Sequence, residues 1–467
     1  MRPGRHRADE CPRVLVIADG AAPTGFARVA RSFLERLQDR WRLEQLLVHH
    51  REDPGGLPWP THACDLAGDP FGHEKARRLV RALRPDAVLV LYDAVRSGHF
   101  LRVLAADRGA TAGPALIVHT PPEGRYRSPR AVAALADADQ VVSATPAGVG
   151  WLRDAERQAA ASERPFTLPL LEVVPYGVDL ERFRPAPEGR SAARRRLREL
   201  GGPALEGPED AVWILCAQQN RRRKRLDVAV RAFARVAASC PRARLCLHTN
   251  PSGRRADGTG DGVDLPALVA ALGVEDRVVL TAHELTGGEV SEHPRLDDEH
   301  LALLFASCDL GLNTSMVEGW GLVAFEHAAT GAAQIVPGHS AAASLWGDVA
   351  VQVPAFEAEP VTVGTTVEER PVDEDVLVDE LRALVDDDVR RTRLGRAARR
   401  RALDPSLSWD EAAAALRALV EQAIAERRGS ERPTRSWDRP GIEIPGSRRR
   451  SLRDQESPAG LARERSA

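Results

Sequence analysis

Short apolar runs alternate with amphipathic helical stretches twice along this chain, and no other feature of the sequence limits its fold as strongly. Val14-Leu15-Val16-Ile17-Ala18 runs into Asp19-Gly20 and reads as a buried strand entering a loop. Phe26, Val29, Phe33 and Leu37 then fall on one helical face. Residues 46–49, 87–92, 115–119 and 140–144 are further strand candidates, several of them separated by helical segments such as 74–83. The alternation starts again after Pro185, with strands predicted at 212–216, 244–248, 278–280 and 310–312 and helices at 226–238, 265–272 and 300–307. Such patterning predicts two α/β domains, each a doubly wound, Rossmann-like parallel sheet. The carboxyl ends of both sheets are expected to face a central cleft.

Length agrees, since 467 residues exceed what one hydrophobic core organises. The expected organisation is a flexible N-terminus over 1–11, a first domain over 12–185 and a second over 186–405. A helix over 406–428, capped by Ser408 or Asp410, is expected to pack back on the first domain. Residues 429–467 are rich in Arg, Ser, Pro and Glu and read as a disordered tail. Its Arg448-Arg449-Arg450 run suits either an anionic surface or plain solvent.

The 65 basic and 67 acidic side chains nearly cancel, which argues against a dedicated nucleic-acid binder. The six cysteines are scattered and form no Cys-x-x-Cys pair, so free thiols in a reducing cytoplasm are expected rather than disulfides or a zinc site. No apolar stretch approaches the ~20 residues of a membrane-crossing helix, and the N-terminus lacks the apolar core of a signal peptide. Any membrane contact is therefore expected to be peripheral. The basic amphipathic helix 74–83 suits either such a contact or the covering of a sheet.

The most informative stretch runs from Asn313 to Glu326, after one strand and into the next helix. Gly319 and Gly321 let backbone approach a ligand closely, and the free N–H groups of a helix start favour an anion. Glu318 precedes that helix and Glu326 lies in its second turn. At ~1.5 Å rise per residue, the two carboxylates are offset by much of a nucleotide's length. Isolated glutamates here would merely favour the helix dipole; the flanking Gly-Trp-Gly points to a site. A second candidate is the loop Gln218 to Asp227, whose Arg221, Arg222, Arg223 and Lys224 offer the charge a diphosphate leaving group needs.

Glu318-Gly-Trp-Gly-Leu…Glu326 resembles the Glu-x7-Glu motif of retaining GT-B glycosyltransferases of the family 4 type. Residues 331–337 resemble the strand entry that follows in that family, with Ala333 in place of its usual proline. Val174-Pro-Tyr-Gly-Val-Asp179…Phe183-Arg-Pro185 is similar to the segment closing the family's first domain, and Ser408-Trp409 to the start of its C-terminal crossover helix. The resemblance implies that Glu318 holds the donor sugar, Glu326 binds the ribose, and the backbone of Gly319, Trp320, Gly321 and Leu322 contacts sugar and diphosphate. It implies that Lys224 neutralises the diphosphate, whereas the family's partner arginine is replaced by Gln219. Arg221, Arg222 or Arg223 substitutes for it, or phosphate binding is weaker.

In the first domain, Gly25 reads equally as part of a phosphate-facing loop or as a helix-entry glycine. His119, at a strand end, reads as a structural residue or as a catalytic one facing the transferred sugar, and Asp93 is a weaker acceptor-binding candidate. No metal site and no cofactor are expected. The expected substrates are a nucleotide-diphosphate sugar and an unidentified acceptor hydroxyl. The rival reading is a non-catalytic GT-B-like protein that binds a sugar or a partner, favoured by Gln219 and opposed by the intact glutamate pair.

Overall fold

The computed structural model describes residues 11–20, 24–48, 55–64, 68–107, 113–253, 260–281, 296–359 and 366–429. The tail 430–467 and residues 1–10 of the expected flexible N-terminus lie outside the described residues.

The first sheet contains β1 (Arg13–Asp19), β2 (Arg42–Val48), β3 (Thr61–Ala63), β4 (Ala87–Leu91), β5 (Ala115–Thr120), β6 (Gln140–Ser143) and β7 (Leu171–Val173). Every pairing is parallel, in the order β3-β2-β1-β4-β5-β6-β7. The second holds β8 (Val212–Ala217), β9 (Ala243–His248), β10 (Val278–Leu280), β11 (Leu310–Leu312), β12 (Ala333–Pro337) and β13 (Val351–Val353). It is also parallel, in the order β10-β9-β8-β11-β12-β13. Strands buried on both faces read as unbroken apolar runs, which is why β1, β4 and β8 stood out in the sequence. In each sheet the order reverses beside the first strand, between β1 and β4 and between β8 and β11. Loops leaving the carboxyl ends of strands at such switch points are where ligands bind in open α/β sheets.

Helices of the first domain are α1 (Gly25–Leu37), α2 (His73–Leu83), α3 (Ala94–Ala106) and α4 (Pro146–Ala160). Next come α5 (Arg190–Glu199), α6 (Leu226–Ala237), α7 (Leu265–Ala271), α8 (Asp298–Ser307), α9 (Leu322–Ala329) and α10 (Ser340–Trp346). The last three are α11 (Glu374–Asp386), α12 (Asp388–Ala402) and α13 (Trp409–Arg427). Arg194 on α5 pairs with Asp309 at 2.8 Å, fixing the segment after Pro185 to the second domain.

Helix α13 carries the chain back to the first domain. Ser408, not Asp410, caps it by accepting from the Asp410 and Glu411 amides. Trp409 packs edge-on to Phe33 with ring centres 5.3 Å apart and stacks near Tyr176 at 5.9 Å. Gly177 makes this docking possible, because a Cβ there would overlap the Trp409 backbone nitrogen. At the far end of α13, Arg427 reaches Asp139 at 3.3 Å. Five of the six cysteines are buried, and Cys11 is partly exposed. Among the described residues, no helix is long and apolar enough to cross a membrane.

Candidate active site in the interdomain cleft

The loop after β11 and the basic loop after β8 flank the second domain's switch point, and together they place the central ion pair. Thr314 donates to the carbonyl oxygens of Lys224 and Arg225, tying one loop to the other. Asn313 accepts from the Ser315 amide and donates to Glu318 Oε2 at 3.2 Å. Lys224 Nζ donates to that same oxygen at 2.8 Å. Burial alone would raise the Glu318 carboxyl, but Lys224 and Arg223 hold it below the ordinary carboxylate range. Gly321 then caps α9 at φ 88°, a left-handed turn that costs a glycine little and points the helix start into the cleft.

The first domain supplies the opposite wall. Thr24 caps α1 by accepting from the Ala27 amide at 3.0 Å and itself donates to Asp19 at 2.6 Å. Tyr92 donates to the other Asp19 oxygen at 2.5 Å. This loop sets Gly25 against the second domain, where a Cβ on it would lie 3.6 Å from Leu322 Cδ1. Arg28, three residues further along α1, places Nη1 2.5 Å from both carboxylate oxygens of Glu326. Glu326 is only 3% exposed. Burial pushes its carboxyl up, and the Arg28 guanidinium opposes that shift.

The four cations singled out in the sequence do not act alike. Lys224 alone sits on Glu318. Arg221 lies 4.0 Å from Asp261. Arg222 pairs with Glu359 at 3.2 Å and with Glu369. Arg223 crosses to Glu123 of the first domain at 3.0 Å. Arg222 and Arg223, two of the three arginines read as standing in for the family arginine missing at Gln219, are thus each paired with acidic side chains, as Lys224 is with Glu318. Glu359 and Glu369 follow β13, and residues 366–368 beside Glu369 bridge to the first domain. Val367 pairs antiparallel with Tyr126, the Glu368 amide donates to Arg125 O at 2.9 Å, and the Arg127 amide donates to Thr366 O at 3.0 Å.

His119 takes the structural of its two readings. One residue before the end of β5 it is fully buried, with Nε2 against Val174 O at 2.8 Å. Phe33 and Tyr176 flank its ring at 5.4 and 5.2 Å. Trp320 is likewise a packing group, stacked on Phe325 at 5.1 Å, so only its backbone is available to a ligand. Asp93 caps α3, accepting from the Arg96 amide. Gly319 lies so close to the first domain that a Cβ would overlap the Pro121 carbonyl oxygen. Sequence reasoning missed Arg28, Glu123, Glu359 and Glu369. The only local hint for Arg28 was its place one turn beyond Gly25 on the cation-bearing side of a cleft helix. Among the described residues, no group of three or more His, Cys, Asp or Glu is arranged to hold a metal.

Burial lowers His119 and His248 to about 4 and His327 to about 3. These imidazoles stay neutral in the fold but take up a proton on unfolding below their ordinary value of 6.5. Their contribution is complete above pH 6.5 and falls by about 1.4 kcal/mol per pH unit for each group until its folded value is reached. Scanning calorimetry should therefore show Tm dropping steeply between pH 6.5 and 4; a flat Tm there would contradict the neutral, buried assignment.

A family model described as family 4 glycosyltransferase in conflict systems matches residues 91–416. A D-inositol 3-phosphate glycosyltransferase of Xylanimonas cellulosilytica is 30% identical over 329 residues, covering 70% of this chain and 67% of the relative. One of the same name from Kineococcus radiotolerans is 32% identical over 55% of this chain and 52% of its own length. Among solved structures, sucrose-phosphate synthase from Thermosynechococcus elongatus superposes with a TM-score of 0.66 at 18% identity, covering 89% of this chain and all of that one. Anabaena Alr3699/HepE in complex with UDP and glucose gives 0.60 at 16% identity, covering 88% and 99%. WaaG, a glycosyltransferase involved in lipopolysaccharide biosynthesis, gives 0.60 at 14%, covering 89% and 100%. With its paired Rossmann-like sheets and the Glu318–Glu326 segment at their junction, the chain belongs to the GT-B glycosyltransferases of family 4, in the group described from conflict systems.

Proposed function

We propose that this glycosyltransferase moves a hexosyl group from a nucleoside-diphosphate sugar to an acceptor hydroxyl, retaining the anomeric configuration and using side-chain cations instead of a metal ion. The observation that carries this reading is the pair of carboxylates, partly buried Glu318 and buried Glu326, on either side of the α9 start, each held by a cation. Glu318 suits the sugar hydroxyls and Glu326 the ribose hydroxyls. The free amides of α9 and Lys224 then face the diphosphate between them. Charge builds on that diphosphate as the glycosidic bond breaks, and Lys224 meets it without a metal. The acceptor hydroxyl attacks from the face the diphosphate leaves, passing its proton to the departing phosphate oxygen. The UDP and glucose in the Anabaena structure support a nucleotide-sugar donor.

The engagement of Arg222 and Arg223 with carboxylates favours the second reading, a non-catalytic binder. One experiment separates the two: incubation with UDP-, GDP- and ADP-sugars in EDTA, followed by proton NMR. Release of nucleoside diphosphate with a first-formed product of the donor's anomeric configuration supports transfer. An inverted product, or activity that EDTA abolishes, would overturn the mechanism; complete inertness would favour the binder.

A further inference from the structure

A diphosphate leaving group carries at least two negative charges, and in the second domain's basic loop Lys224 is the cation paired with the carboxylate beside the α9 start. Arg221 lies 4.0 Å from Asp261, Arg222 is engaged by Glu359 and Glu369, Arg223 by Glu123, and Arg225 by Asp227 at 3.1 Å. Lys224 differs in that its partner is a proposed sugar-binding carboxylate. The first domain repeats this arrangement at the other end of the site, where Arg28 holds Glu326. Both proposed hydroxyl-binding carboxylates are therefore neutralised by a cation, one from each domain.

A neutral hydroxyl displaces a cation from a buried carboxylate only if the cation gains another anion, because an unpaired buried charge is costly. The donor brings both partners at once. Its hydroxyls turn to the carboxylates while its diphosphate takes the cations, so neither cation is left without an anion. Arg28 suits such an exchange. Its guanidinium presents five N–H donors, so one edge can keep Glu326 while the other meets a phosphoryl oxygen. It also stands one turn into α1, whose first residue, Gly25, faces Leu322 at the start of α9.

Building on the nucleotide-sugar reading, we propose that Arg28 is the second diphosphate-binding cation, supplied from the opposite domain so that neutralising the leaving group requires the two domains to meet. The phosphate nearer the ribose is the one it reaches, since Arg28 sits at the ribose end with Glu326, while Lys224 takes the phosphate nearer the sugar.

The test compares UDP, GDP and ADP with their parent nucleosides on the full chain by calorimetric competition, for wild type, Arg28→Ala and Arg28→Gln, with Tm recorded for each. Arg28→Ala should weaken the preferred diphosphate about 10- to 100-fold. Nucleoside affinity should change less than about 3-fold, and the salt dependence of diphosphate binding should become shallower. Arg28→Gln guards against misfolding and should show the same selective loss. Equal losses for diphosphate and nucleoside would mean that Arg28 acts only by holding Glu326, and unchanged diphosphate affinity would remove it from the site; either result overturns the proposal. Wild type that binds none of the diphosphates would instead overturn the nucleotide-sugar reading beneath it.

Discussion

Replacing Lys224 with alanine should slow glycosyl transfer by about 100- to 1,000-fold, the scale at which single preorganised donors to a developing anion act. Lys224 is nearly buried, and its Nζ is fixed at 2.8 Å from Glu318. Alanine would also leave the Glu318 carboxylate unpaired, a defect worth about 3–5 kcal/mol of stability. The two effects separate in the double variant Lys224→Met/Glu318→Gln, which removes both charges. Its Tm should recover most of the loss while transfer stays slow. Recovery of activity along with Tm would show that Lys224 only stabilises the fold, and near-wild-type transfer by Lys224→Ala would remove it from the chemistry.

Gly319→Ala should reduce turnover by about 100-fold with little change in Tm. A Cβ at this position meets the Pro121 carbonyl, and a backbone atom cannot rotate aside as a side chain does. The two loops must separate, carrying the α9 start away from the first domain's wall. A misplacement of that order is enough to cost two orders of magnitude in rate. The fold should tolerate it, because the retreat follows the cleft and opens no core. Steady-state rates together with a melting curve check this, and a wild-type rate would show that the close approach at Gly319 is not needed for transfer.

Both predictions rest on features that sequence and structure revealed unequally. Strands such as β4 and β8 were legible because both faces of a parallel sheet are covered and every residue is apolar. β2 was recognised only over its C-terminal half, because Gln45 interrupts the apolar run. In the structure that amide is buried and satisfied, donating to Asp19 O and accepting from Trp59 Nε1. Strands β3, β7 and β13 are three residues each and carry a polar or charged residue at the centre, unlike the equally short β10, whose Val-Val-Leu run is wholly apolar.

The site divides in the same way. Glu318, Glu326 and Lys224 lie in short segments whose spacing encodes their placement around one helix start. Arg28 and Glu326 stand 298 residues apart, and only the packing of two domains joins them. Glu123 and Arg223 likewise meet across the domains, and Glu369 reaches Arg222 from 147 residues away within the second, which is why a string of four cations looked freer in the sequence than it is in the fold. His119 shows a third limit. The end of a strand fixes where its Cα lies, but the aromatic cluster of Phe33, Tyr176 and Trp409 determines which way the ring turns.

The most direct test of the account is a thermal-shift and calorimetric panel of UDP, GDP, ADP and their sugars, with and without EDTA, on wild type and Glu326→Ala. One nucleotide should raise Tm selectively, EDTA should leave the rise intact, and Glu326→Ala should abolish it. Binding that survives Glu326→Ala, or requires a divalent cation, would contradict the site described for this glycosyltransferase.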